Sequence, residues 1–238
     1  MGKSYFIWKG MDCRSMGITL GGPVAIVRPE ERATHIEIPG RSGDLTQLQG
    51  ENIFNSYIQT ATIQVKGGYR VRDAYRWLRG SGYVTFSGEP DRRQPARIIG
   101  AITLDKYSHN VDIWVGEIQF YCQPLKEKLV SETVEITSSG SAIHNAGDVT
   151  SKPKITATAS DTSMTIVAGG NMLQLTGLTS GVNYVIDSEI MEVLLADGVG
   201  YPLTKNSSGE FPVLLPGTSL VTGTGWSKLV IDKRERFL

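Results

Sequence analysis

The sequence predicts a mainly β protein in two domains with one helix. Three observations carry that reading. Apolar and polar residues alternate at a period of two through most of the chain, turn-forming pairs recur at intervals of about ten residues, and the solvent-facing chemistry changes near residue 128. The 238 residues include 27 Gly and 10 Pro, a turn-rich composition. The 40% hydrophobic content supports a core and excludes wholesale disorder.

Taken in order, Ala61, Ile63 and Val65 alternate with Thr62 and Gln64. Val111, Ile113 and Val115 begin a long run that continues through Ile118, Phe120 and Cys122. Between them, Ala74, Trp77 and Leu78 fall at i, i+3 and i+4, with Arg72, Arg76 and Arg79 on the other side. That spacing predicts a helix near 71–79, with Asp73 favouring its N-terminus and Gly80 ending it. Trp77 reads as a core anchor. Shorter alternating pieces follow: Val134 and Ile136, Ile155 to Ala159, Met164 and Ile166, Tyr184 and Ile186, Leu229 and Ile231. Short strands joined by turns indicate a sandwich or barrel.

The domain reading rests on charge. The whole chain has 24 basic and 24 acidic residues, yet residues 1–128 hold 17 and 13 of them and residues 129–238 hold 7 and 11. Ser plus Thr rises from 14 to 26 across the same division. We therefore expect domains 1–128 and 129–238, with the seam near Pro124–Ser131. Opposite net signs suit head-to-tail contact between copies.

Several chemistries are excluded or weak. Zero net charge gives no electrostatic case for nucleic-acid binding. No apolar run approaches 18 residues, so no membrane span is expected, and the N-terminus lacks the apolar stretch of a signal peptide. Cys13 and Cys122 are too few for a disulfide scaffold and suit a reducing compartment. His35, His109 and His144 are far apart, so no metal or cofactor is expected. Gly40-Arg41-Ser42-Gly43 is only half of a nucleophile elbow, and the Asn206-Ser207-Ser208 sequon has no expected use. Asp187 and Glu189, with Glu192 nearby, are the best catalytic lookalike. On a strand they would lie about 6.5–7 Å apart, a spacing a glycosidase could use. Only Tyr184 and Tyr201 stand near as sugar platforms, so a strand end whose carboxylate binds turn amides is the better reading. Arg92, Arg93 and Arg97 form the densest basic cluster and read as a solvated or intersubunit face.

Six motifs in register carry a family resemblance. They are Phe6-Ile7-Trp8-Lys9-Gly10 followed by Met16-Gly17-Ile18; PGRSGDL at Pro39–Leu45 after a strand-like Thr34–Ile38; and Trp77-Leu78-Arg79-Gly80 with TFSGEPDRRQPARI at 85–98. IQFYCQP at 118–124, Asn145-Ala146-Gly147 with Ser151-Lys152-Pro153, and VIDSEIMEV at 185–193 with GEFPVLLPGTSLVTGTG at 209–225 complete the set. Together they resemble the distal tail proteins (Dit) of long-tailed phages (siphoviruses) and prophages, over nearly the whole chain.

The resemblance implies an N-terminal split β-barrel-like domain with one helix and a C-terminal galectin-like β-sandwich. It implies a non-enzymatic structural protein, made in the host bacterial cytoplasm and placed at the distal tail tip, or baseplate, of the virion. It also implies a homohexameric ring joining the tail tube protein to a tail-associated fibre or lysin protein and to receptor-binding protein. The chain has no room for the inserted carbohydrate-binding module of longer members. Arg41, Asp44, Glu89, Arg92, Arg93 and Arg97 are the expected intersubunit contacts, with Glu51 and Asp91 as further acidic positions. The rival reading is a carbohydrate-binding adhesion module for host cell-wall glycan. Its candidates, Trp226, His144, Arg234 and Arg236, are scattered in the sequence.

Overall fold

The computed structural model describes residues 4–50, 52–195 and 206–238; Glu51 and Tyr201 lie outside them. The chain divides into one compact unit of residues 1–129 with Leu238 and a second of residues 130–237. Both are built from antiparallel strands. No helix among the described residues is long and apolar enough to cross a membrane.

The first unit is organised around a curled antiparallel sheet. Its strands are β1 (Phe6–Trp8), β2 (Met11–Asp12), β3 (Ile18–Leu20), β6 (Tyr57–Lys66), β7 (Ser81–Phe86), β8 (Arg92–Ile99) and β10 (Val111–Cys122), in the order β2-β1-β7-β8-β10-β6-β3. Strand β9 (Leu104–Ser108) pairs with β10, and β11 (Lys126–Lys128) with β8. Two further strands, β4 (Ala33–Ile36) and β5 (Leu45–Leu48), form a separate two-stranded sheet.

The period-two pattern decides which side chains enter the core. Ala61, Ile63, Val65, Ile118, Phe120 and Cys122 are buried on one face of β6 and β10. Phe120 is the hub: its ring meets Phe6, Trp8 and Phe86 edge-on at centroid distances of 5.6, 5.5 and 5.6 Å. Edge-to-face pairs suit the ring quadrupoles as well as filling space.

The α-helix, α1, spans Val71–Trp77 and buries Ala74, with Leu78 buried just beyond it. Trp77 stacks on Phe6 at 5.6 Å, so it anchors the helix to the sheet as its spacing predicts. Gly80 takes the left-handed conformation (φ 75°) that ends the segment. Asp73 makes no capping hydrogen bond; it lies in the first turn and pairs with Arg76 at 3.4 Å. There it still opposes the positive end of the helix dipole.

The second unit is two five-stranded sheets. One contains β12 (Thr133–Ile136), β21 (Trp226–Asp232), β14 (Lys154–Ala159), β17 (Asn183–Asp187) and β18 (Glu192–Leu195) in that order. The other contains β13 (Ser141–Asn145), β20 (Gly217–Thr224), β15 (Ser163–Ala168), β16 (Asn171–Thr176) and β19 (Ser207–Gly209). Alternate residues of both, including Ile155, Ile166, Leu173, Ile186, Val221 and Leu229, form one buried cluster.

Candidate functional site

The PGRSGDL motif lies at the tip of an exposed arm. Strands β4 and β5 pair Ala33 with Leu48 and Ile36 with Leu45. The connection turns through Pro39-Gly40, where the Arg41 amide donates to the Ile38 carbonyl at 3.1 Å. Gly40 and Gly43 have φ of 81° and 79°, a conformation costly for other residues, which explains both glycines. The strand ends at Ile36 rather than Ile38 because Pro39 removes a ladder donor and constrains the residue before it.

At its base the arm is tied down. Arg32 donates its amide to the Ile53 carbonyl at 2.8 Å, Gln49 donates to Arg32 at 3.0 Å, and Asn55 donates to Glu30 at 2.8 Å. Beyond that base no residue of either strand is buried. Ile36, Ile38, Leu45 and Leu48 are 40%, 39%, 45% and 56% exposed. A lone two-stranded ribbon is marginal in water, and this one holds four large apolar side chains without a core to cover them. Arg41 and Asp44, of opposite charge, stand exposed at its tip.

The other expected contacts are placed elsewhere. Glu89 accepts from Arg92 at 3.1 Å and from the buried Lys126 ammonium at 2.6 Å. Arg93 pairs with Glu127 at 3.1 Å and lies over the Tyr83 ring at 4.4 Å. These three residues are thus engaged within their own unit. Arg97 is exposed on the outer face of β8 and makes no ion pair among the described residues. Asp91, also exposed, is 4.0 Å from Arg92. The structure brings Arg41 and Asp44 together on the arm and gathers Glu89, Arg92 and Arg93 at the β8–β11 edge. Lys126, the buried cation of that edge, carries no sequence signal beyond its charge.

The catalytic lookalikes are ion-paired. Asp187 ends β17, accepts from the Glu189 amide at 3.1 Å and receives both arms of Arg234 at 2.7 and 2.9 Å. Burial raises the Asp187 pKa, but the Arg234 hydrogen bonds and charge and the turn amides outweigh it, so the net direction is down. A depressed pKa leaves no proton at neutral pH for a general acid. Glu189 is held by Arg236 at 2.9 Å. The sugar-binding candidates do not converge either: Trp226 is packed in the core, His144 is exposed on β13, and Arg234 and Arg236 serve these carboxylates. No group of His, Cys, Asp and Glu among the described residues could hold a metal ion.

The first unit is thus a curled β sheet with an exposed arm, and the second a pair of sheets, with Asp187 and Glu189 ion-paired to Arg234 and Arg236. The chain has the fold of the SPP1 Dit (gp 19.1) protein, whose crystal structure is presented as a paradigm of the hub adsorption apparatus in Gram-positive-infecting phages. The similarity has a TM-score of 0.80 at 17% identity and covers 100% of each chain. The Dit resemblance read from the motifs therefore holds at the level of fold. No family model and no curated protein matches the chain.

Proposed function

We propose that this protein is a structural subunit of a siphovirus or prophage tail tip. In this reading copies join head to tail in a closed ring that connects the tail tube to the fibre, lysin or receptor-binding proteins beyond it. The observation that carries the reading is the arm. Its four apolar side chains stay about half exposed among the described residues, and its opposite charges at Arg41 and Asp44 can fix register against a neighbour. A contact between an arm and a different surface of the next copy is heterologous, and such contacts close into rings when the rotation allows. The number six comes from the family resemblance. The intrachain pairing of Asp187 and Glu189 supports a non-catalytic role.

The test removes the arm. Replacing residues 33–48 by a short Gly-Ser link is compatible with the base, because Gln49 already hydrogen-bonds Arg32. Light scattering at high protein concentration, with electron microscopy of the particles, should show six-fold rings for the full chain and monomers for the shortened one. Equal oligomer size in both would overturn the reading.

A further inference from the structure

The outer face of the first unit's sheet carries a feature apart from the arm. The alternation that buries Phe120 and Cys122 turns Tyr121 outward on β10 and Gln123 outward just beyond its end. On β8 it buries Gln94 and Ala96 and turns out Arg93, Pro95 and Arg97; on β7 it turns out Ser81 and Tyr83. The registers align them: Ser81 lies opposite Arg97 and Arg97 opposite Tyr121, while Tyr83 lies opposite Pro95. Of these, Ser81, Tyr83, Pro95, Arg97, Tyr121 and Gln123 line one open trough of about 880 Å³, within the size range of ligand sites.

Three properties define what the trough can take. First, its aromatic surface is preorganised. The Tyr83 ring lies under Arg93, which is itself fixed by Glu127. Tyr83 and Tyr121 are 40% and 41% exposed. Standing two strands and one two-residue step apart, they are separated by about 12 Å. Second, no acidic residue lines the trough, and the Arg97 guanidinium has no ion-pair partner among the described residues. Third, its floor strands are paired on both sides, β7 between β1 and β8, and β10 between β8 and β6. A peptide therefore finds no open edge for strand addition.

Flat aromatic faces bind the C–H faces of sugar rings, Ser81 and Gln123 supply hydrogen-bonding groups for hydroxyls, and an unpaired guanidinium binds an anion. We propose that this trough binds an anionic saccharide, a sugar bearing phosphate, with Arg97 on the anion and Tyr121 and Tyr83 beneath the rings.

The test is calorimetry or chemical-shift titration on the full chain with glucose 1-phosphate, glucose, inorganic phosphate and a short oligothymidylate as separate probes. Glucose 1-phosphate should saturate at about 1 mM or below, at least tenfold tighter than glucose or phosphate alone. Arg97→Ala and Tyr121→Ala should each weaken it at least tenfold, while Tyr121→Phe should retain it. Both residues are exposed, and thermal melts will confirm that the variants fold. No saturation by 20-fold higher concentration, equal affinity for phosphate alone, tighter binding of the oligonucleotide, or indifference to both alanine changes would each overturn the proposal. Loss of the oligomer in Arg97→Ala or Tyr121→Ala would also overturn it, because the face would then be covered by another copy.

Discussion

At the scale of single residues, burial and pairing set the chemistry. Cys13 and Cys122 are free and buried. Burial raises both thiol pKa values, that of Cys122 to about 12 despite the opposing charge of Lys126. The thiolate is the reactive form, so a thiol reagent at pH 8 should leave the native protein unmodified and titrate two thiols after denaturation. Rapid labelling of the native protein, or no thiols in the denatured one, would contradict this. Asp187 gives the opposite sign. Its folded pKa lies below the ordinary value of 3.8, so its pairing stabilises the fold above that value and is lost as pH falls through the folded pKa. Asp187→Asn should lower the melting temperature at pH 7, and the gap from the parent should narrow as pH falls below 3.8. At pH 7 the loss should be about 2–3 kcal/mol, because Arg234 loses its two-armed carboxylate partner in a partly buried site and keeps only the longer 3.7 Å pair with Glu189. A gap that persists unchanged in acid would rule the ion pair out as its cause.

At the scale of elements, the same apolar alternation has two outcomes. In β10 it builds a core around Phe120, which touches three aromatic rings. Phe120→Ala should cost about 3–5 kcal/mol by removing transfer energy and leaving a cavity, a loss that denaturant melts would read directly. A change below about 1 kcal/mol would mean that the ring cluster repacks freely. In β4 and β5 the apolar residues join neither buried cluster of the described residues. Nothing in Ile36, Ile38, Leu45 and Leu48 distinguishes them in the sequence from residues of a buried strand, because burial depends on what lies opposite. The turn at Pro39–Gly43 was legible from its residue types; the exposure of the strands flanking it was not. The helix shows the same division, since its i, i+3, i+4 face is local while the absence of a cap at Asp73 depends on where the preceding turn, Gly68–Arg70, places the chain.

At the scale of the whole molecule, what was legible is what local patterning and composition encode: strands, the helix, the turns and a change of surface chemistry. Pairings between distant residues were not. Arg93 meets Glu127 only because β8 and β11 pair in one register, and Arg234 reaches Asp187 across 47 residues of sequence. Those partners are set by topology, which single residue types do not reveal. The core of the second unit is nonetheless its own. Among the described residues, nineteen buried ones from Ile136 to Ile231 form its cluster, and about 110 residues can bury enough surface to fold independently. We therefore expect a fragment of residues 129–238 to melt cooperatively by circular dichroism and to keep a strand-rich spectrum. Its transition should fall within a few degrees of one transition of the full chain, since each unit carries its own core. A fragment that melts without cooperativity, or that precipitates unless residues 1–128 are supplied in trans, would show that the second core is incomplete.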